Sequence, residues 1–124
     1  EGVDLVLHAL DHAWGGEIYI PKIPSYKITD VAKAVAPECE QKIVGIRPGE
    51  KIHEEMITNS DSYTTYDLGK YYVILPQVPN WDIKQYIHSY KAKKVKEGFS
   101  YNSAENEEFL TVDELRKLIK EHLK

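Results

Sequence analysis

Apolar residues recur at helical spacing at the start of the chain: Val3, Leu5, Val6, Leu7, Leu10 and Trp14. The pattern predicts an amphipathic helix through Ala13, stopped by Gly15-Gly16. It is already running at Glu1, so a fragment of a larger protein is expected. The period then changes. Residues 17–22, Glu-Ile-Tyr-Ile-Pro-Lys, alternate and predict a strand ended by Pro21. A second helix is expected through Val31, Ala32, Val35 and Ala36, capped by Thr29 or Asp30 and ended by Pro37. The β-branched run Ile43, Val44, Ile46 predicts a short buried strand. It leads into Arg47, a sharp Pro48-Gly49 turn, and a helical turn beginning at Glu50. Alternation of helix and strand over residues 1–57 predicts a small α/β domain.

The second half is more varied. Residues 63–66 and 70–75 flank Asp67-Leu68-Gly69 and predict a β-hairpin or an irregular two-strand excursion. Pro76 and Pro79 close it. Ile83, Ile87 and Tyr90 predict a short amphipathic helix in the least distinct stretch, 81–99. Residues 101–108 are polar and extended. Thr111 with Glu114 three residues later forms a capping box. Leu115, Leu118, Ile119 and Leu123 give the helix that follows an apolar stripe, suited to a core or an interface.

Composition narrows the class. The 124 residues suffice for one domain, 1–124, and contents of 42% hydrophobic and 29% charged are those of a soluble globular protein. A net charge of −4 disfavours nucleic acid and anionic membrane surfaces. The basic cluster Lys91, Lys93, Lys94 and Lys96, with tyrosines nearby, is therefore read as a solvated face rather than a nucleic-acid patch. Cys39, the single cysteine, makes neither an internal disulfide nor a metal cluster, and a reducing compartment follows. No apolar run reaches the length of a membrane span and no signal peptide opens the sequence, so a cytoplasmic location is expected.

Candidate chemistry centres on residues 47–50. Arg47 sits at a predicted strand tip, and the turn folds Glu50 back beside it. A guanidinium suits bidentate grip on phosphate oxygens, and a carboxylate three residues away can accept two bonds from a cis-diol such as a ribose. Together they suit a nucleoside diphosphate. The same pair also reads as an ion pair decorating a turn. Lys22 and Ser25 flank the two prolines beyond the first strand, as ligand groups or as a solvated turn. His8 and His12 share a helix face but lack an evident third metal ligand. His53-Glu54-Glu55 is not the zinc-binding His-Glu-x-x-His pattern. No catalytic, cofactor-binding or metal residue is assigned: the Gly-rich dinucleotide and phosphate loops and Gly-x-Ser-x-Gly are all missing from the sequence. Two Tyr-x-x-x-Lys matches, Tyr66…Lys70 and Tyr90…Lys94, are read as coincidence, the first because Gly69 interrupts any helix.

Three blocks carry a family resemblance: Gly16-Glu-Ile-Tyr-Ile-Pro-Lys-Ile-Pro-Ser25, Ile28-Thr-Asp-Val-Ala-Lys-Ala34 and Ile46-Arg-Pro-Gly-Glu-Lys-Ile-His-Glu54. They resemble the C-terminal part of the inverting UDP-N-acetylglucosamine 4,6-dehydratases, extended short-chain dehydrogenase/reductases of polysaccharide and flagellin-sugar biosynthesis. Gly98-Phe-Ser-Tyr-Asn-Ser103 and Phe109-Leu-Thr-Val-Asp-Glu-Leu115 resemble the ending of the same group. The resemblance implies a parent enzyme, a lyase, whose N-terminal Rossmann domain holds NADP and the catalytic Tyr, Lys, Asp and Thr. That enzyme oxidises C4, eliminates water across C5–C6 and returns hydride to C6 with inversion at C5. It implies that this C-terminal part holds the UDP, with Arg47 near the diphosphate and ribose, Glu50 on the ribose, and Lys22 and Ser25 near the substrate mouth.

The chain alone lacks the cofactor and catalytic motifs. It is expected to be a UDP-sugar-binding domain without its Rossmann partner, with NADP belonging to the parent, which is expected to be a homo-oligomer. The alternatives are a structural or interaction module that kept the fold, and the C-terminal domain of a related epimerase or reductase. Without a Rossmann partner, the apolar faces of the first and last helices are expected to be exposed and to drive self-association.

Overall fold

The computed structural model describes residues 2–122. Glu1 and Leu123, both part of the helical patterns above, lie outside that range. Among the described residues the chain forms an α/β structure with four α-helices and two sheets, and its residues divide into two compact units.

The first unit comprises residues 1–22 and 55–101. Helix α1 (Gly2–His12) ends where Gly15 and Gly16 turn to positive φ. Strands β1 (Ile18–Pro21), β3 (Thr65–Asp67), β4 (Tyr71–Ile74) and β5 (Lys93–Lys94) form an antiparallel sheet in the order β1-β4-β3-β5. The expected hairpin is β3–β4, with Asp67 opposite Tyr72. The expected short helix is α3 (Ile83–Tyr90), capped by Asp82, whose carboxylate accepts from the Lys84 and Gln85 amides. Alternation along β4 assigns the two faces. Val73 joins Leu75 and the fully buried Tyr86 in a core against which Trp14, Tyr19, Tyr66, Trp81 and Tyr90 pack. Tyr72 takes the other face, its ring 5.2 Å from Phe99 and 5.4 Å from Tyr101. The buried Ser62 hydroxyl donates to the Asn59 carbonyl at 2.6 Å and accepts from the Gly98 amide, so its burial leaves no unpaired group. Strand β2 (Glu55–Ile57) pairs with β6 (Tyr101–Asn102) in a separate two-stranded sheet.

The second unit comprises residues 23–54 and 102–124. Helices α2 (Ile28–Val35) and α4 (Val112–His122) pack on each other, with Leu115 buried. The capping box of α4 is present: Thr111 donates from its amide (2.8 Å) and its hydroxyl (2.7 Å) to Glu114. Those two bonds hold the Glu114 carboxyl below the usual carboxylate range.

Three expectations are corrected. Helix α2 begins at Ile28 rather than after a Thr29 or Asp30 cap. Its cap position is Lys27, whose carbonyl accepts from the Asp30 and Val31 amides. Residues 43–46 form no strand, and Ile43 is 92% exposed. Strand propensity expresses fit to a half-buried pleated surface, and that run pairs with no described strand; Gly45, with φ of 89°, also breaks its extension. No helical turn follows Glu50, because Ile52 stays exposed and no apolar stripe is buried there.

Candidate functional site

Residues 47–50 close on themselves. Pro48 fixes its φ near about −65°. Gly49 takes φ of 87°, as the third position of a type II turn requires. The Glu50 amide donates to the Arg47 carbonyl at 3.1 Å. In return the Arg47 amide donates to Glu50 Oε2 at 2.9 Å. The second carboxylate oxygen, Oε1, lies 3.9 Å from Arg47 Nε. The expected juxtaposition of Arg47 and Glu50 is therefore present. The two side chains are 82% and 50% exposed. A loose, solvated ion pair of this kind contributes less than about 1 kcal/mol. It holds the guanidinium weakly, so a phosphate able to accept two parallel bonds can displace it.

Ser25 lies in the same unit but is taken up by structure. Its amide donates to the Glu108 carbonyl and its carbonyl accepts from Leu110, forming a parallel bridge with Phe109. Its hydroxyl accepts from Asn106 Nδ2 at 3.0 Å. Lys22 belongs to the first unit. Its ammonium donates to Asp67 Oδ1 at 2.7 Å and stands 4.5 Å above the Tyr72 ring centroid. Asp67 Oδ1 also accepts from the Gly69 amide. Partial burial pulls the Asp67 carboxyl upward, but the bonds from Lys22 and Gly69 and the charges of Lys22 and Lys93 hold it below its ordinary value.

Sequence reasoning overlooked Asp67 and Asn106. Asp67-Leu-Gly is a recognisable Asx turn, so half of Asp67's role was visible. Asn106 carried no signal, because its partners Ile23 and Ser25 are more than eighty positions away. The remaining candidates are also engaged. His8 Nε2 bonds the Tyr71 hydroxyl, and its ring stacks on His12 with centroids 4.1 Å apart. Tyr66 lies on β3 and Tyr90 ends α3, so neither Tyr-x-x-x-Lys match lies within a helix.

The fold and the turn thus define a class: a small α/β protein with an exposed cation and carboxylate held side by side on one turn. The chain belongs to the polysaccharide biosynthesis protein family, whose pattern matches residues 1–76. It is 46% identical over 123 residues to the inverting UDP-N-acetylglucosamine 4,6-dehydratase of Campylobacter jejuni subsp. jejuni serotype O:2, covering 96% of this chain and 37% of that protein. It is 32% identical to the UDP-glucose 4-epimerase of Rickettsia felis, over 96% of this chain and 36% of that one. Among solved structures it resembles the X-ray structure of Pen from Bacillus thuringiensis, with a TM-score of 0.76, 26% identity, and coverage of 97% of this chain and 36% of that chain. The resemblance to the C-terminal part of the inverting dehydratases therefore holds. The chain spans about a third of the length of the curated relatives it matches (37% and 36%).

Proposed function

We propose that this chain binds the UDP of a UDP-N-acetylhexosamine, as the substrate-holding part of a UDP-N-acetylglucosamine 4,6-dehydratase in nucleotide-sugar biosynthesis. The observation that carries the reading is the closed Arg47-Pro48-Gly49-Glu50 turn with its exposed guanidinium. Arg47 takes the diphosphate and Glu50 accepts from the ribose hydroxyls. The similarity to the Campylobacter jejuni dehydratase supports this choice of ligand.

NADP, which takes up and returns the hydride in such a reaction, does not fit the residues present. A dinucleotide seat needs a Gly-rich turn between a parallel strand and a helix. Every pairing in the four-stranded sheet is antiparallel, and no such turn lies among the described residues. The chemistry belongs to a Rossmann domain or partner chain, in a cytoplasmic homo-oligomer. The part played by this chain is to bind and orient.

The test is an NMR titration of the isotopically labelled chain with UDP-N-acetylglucosamine. Shifts centred on residues 47–50 are expected, and Arg47→Ala should weaken binding by about 10- to 100-fold, the loss of a charge-assisted phosphate contact. Dispersed peaks that do not move would favour a scaffold role. A second reading, an epimerase C-terminal part, rests on the Rickettsia felis similarity. Preference for UDP-glucose over UDP-N-acetylglucosamine would favour it.

A further inference from the structure

We infer that Glu50 is a positioning residue for Arg47, setting the diphosphate grip itself in addition to any bond it makes to the ribose. The inference rests on the reading of Arg47 as the phosphate contact. The turn is closed by two reciprocal bonds, Glu50 amide to Arg47 carbonyl (3.1 Å) and Arg47 amide to Glu50 Oε2 (2.9 Å). The first is ordinary turn geometry, available to any residue at position 50. The second needs a side-chain acceptor of glutamate's length. It joins the Glu50 side chain to the backbone of the residue that carries the guanidinium. The ion pair, at 3.9 Å and exposed, contributes little. The 2.9 Å bond to a carboxylate is the stronger link.

Residues 43–46 before the turn pair with no described strand, and residues 51–54 after it lie in no helix or strand. Glu54, further on, exchanges two bonds with Ser103, so it is the turn's own bonds that hold the Arg47 backbone from which the guanidinium extends. Gly49, at φ of 87°, adds the freedom that the Glu50 side chain removes.

The inference reverses the sign of an expected effect. A carboxylate beside a phosphate-binding arginine repels an anion, so its simple removal should strengthen binding of an anion that has no ribose. If Glu50 positions Arg47, its removal should weaken that binding instead.

The experiment measures the affinity of the full chain for inorganic pyrophosphate and for UDP by NMR titration. It compares Arg47→Ala, Glu50→Ala and Glu50→Gln, with peak dispersion confirming that each variant stays folded. Glu50→Ala is expected to weaken pyrophosphate binding by about tenfold, the scale of one lost hydrogen bond. Glu50→Gln keeps an acceptor at the same reach but without the charge, and should lose clearly less than Glu50→Ala. Unchanged or tighter pyrophosphate binding in Glu50→Ala, with weaker UDP binding, would leave Glu50 as a ribose contact alone and overturn the inference while the proposed function stands. Glu50→Gln falling as far as Glu50→Ala would also overturn it, because the bond to the Arg47 amide would not be the link. If Arg47→Ala binds both ligands like the native chain, the reading of Arg47 fails, and the positioning role fails with it.

Discussion

Lys22 and Asp67 show how one side chain can answer to two elements. Lys22 follows the last residue of β1, yet its ammonium reaches across the Tyr72 ring of β4 to the carboxylate that ends β3. Asp67 is held ionised below its ordinary value. Its contribution to stability is therefore present above the unfolded carboxylate pKa and is lost as pH falls through the lower folded value, in a window below about pH 4. Asp67→Asn should lower stability by about 1 kcal/mol at pH 7, the upper range for a partly exposed pair. The gap between the two proteins should close by about pH 2. Urea midpoints at the two pH values check this; a gap of equal size at both would assign the effect to something other than the carboxylate charge. Tyr86 makes a complementary point. Burial raises its phenol above the ordinary value, the Tyr19 hydroxyl adds to that, and the group remains a neutral part of the core.

Among the elements, α3 shows where the sequence signal ran thin. Its end is a Schellman motif: the Ala92 amide bonds the Ile87 carbonyl at 3.0 Å and the Lys91 amide bonds that of His88. The left-handed position, usually glycine, is Lys91, at φ of 51°. A reader looking for Gly finds no stop, which is why residues 81–99 were the least distinct stretch. Lys91→Gly should relieve that strain and raise stability by about 0.5–1 kcal/mol, visible as a higher urea midpoint with an unchanged slope. A lower midpoint would mean that the lysine side chain matters more than the backbone strain. The capping box at Thr111, by contrast, follows the local rule, and α4 begins at Val112 beside it.

For the whole molecule, the notable surface is α1. No residue of this helix is buried, and Val3, Val6, Leu7 and Leu10 are more than half exposed. In α4, which packs against α2, Leu115 is buried while Leu118 is exposed at 40%. The expectation of an exposed apolar face therefore applies mainly to the first helix. The chain should self-associate as concentration rises, and Val6→Lys with Leu10→Lys should shift it toward monomer. Sedimentation velocity over a concentration series decides this: a native chain that stays monomeric at high concentration removes the prediction. No described helix is long and apolar enough to cross a membrane.

By itself the sequence determined what short-range chemistry controls. The α1 period and its Gly-Gly stop, the β3–β4 hairpin around Asp67-Leu-Gly69, the Thr111 cap and the Arg47-Pro48-Gly49-Glu50 turn each depend on a few neighbouring residues whose backbone preferences and hydrogen-bonding groups agree. The family was legible in the same way, from blocks of residues in order. Tertiary structure alone decided what depends on distant partners. Ile43, Val44 and Ile46 have the composition of a strand but pair with no described strand, since pairing is a property of two segments. Ser25 and Lys22 look like free polar groups in the sequence, yet one accepts a bond from Asn106 and the other is paired with Asp67. Local propensity is written residue by residue, whereas the burial and hydrogen-bond partners that settle a side chain's role come from segments the chain brings together only on folding.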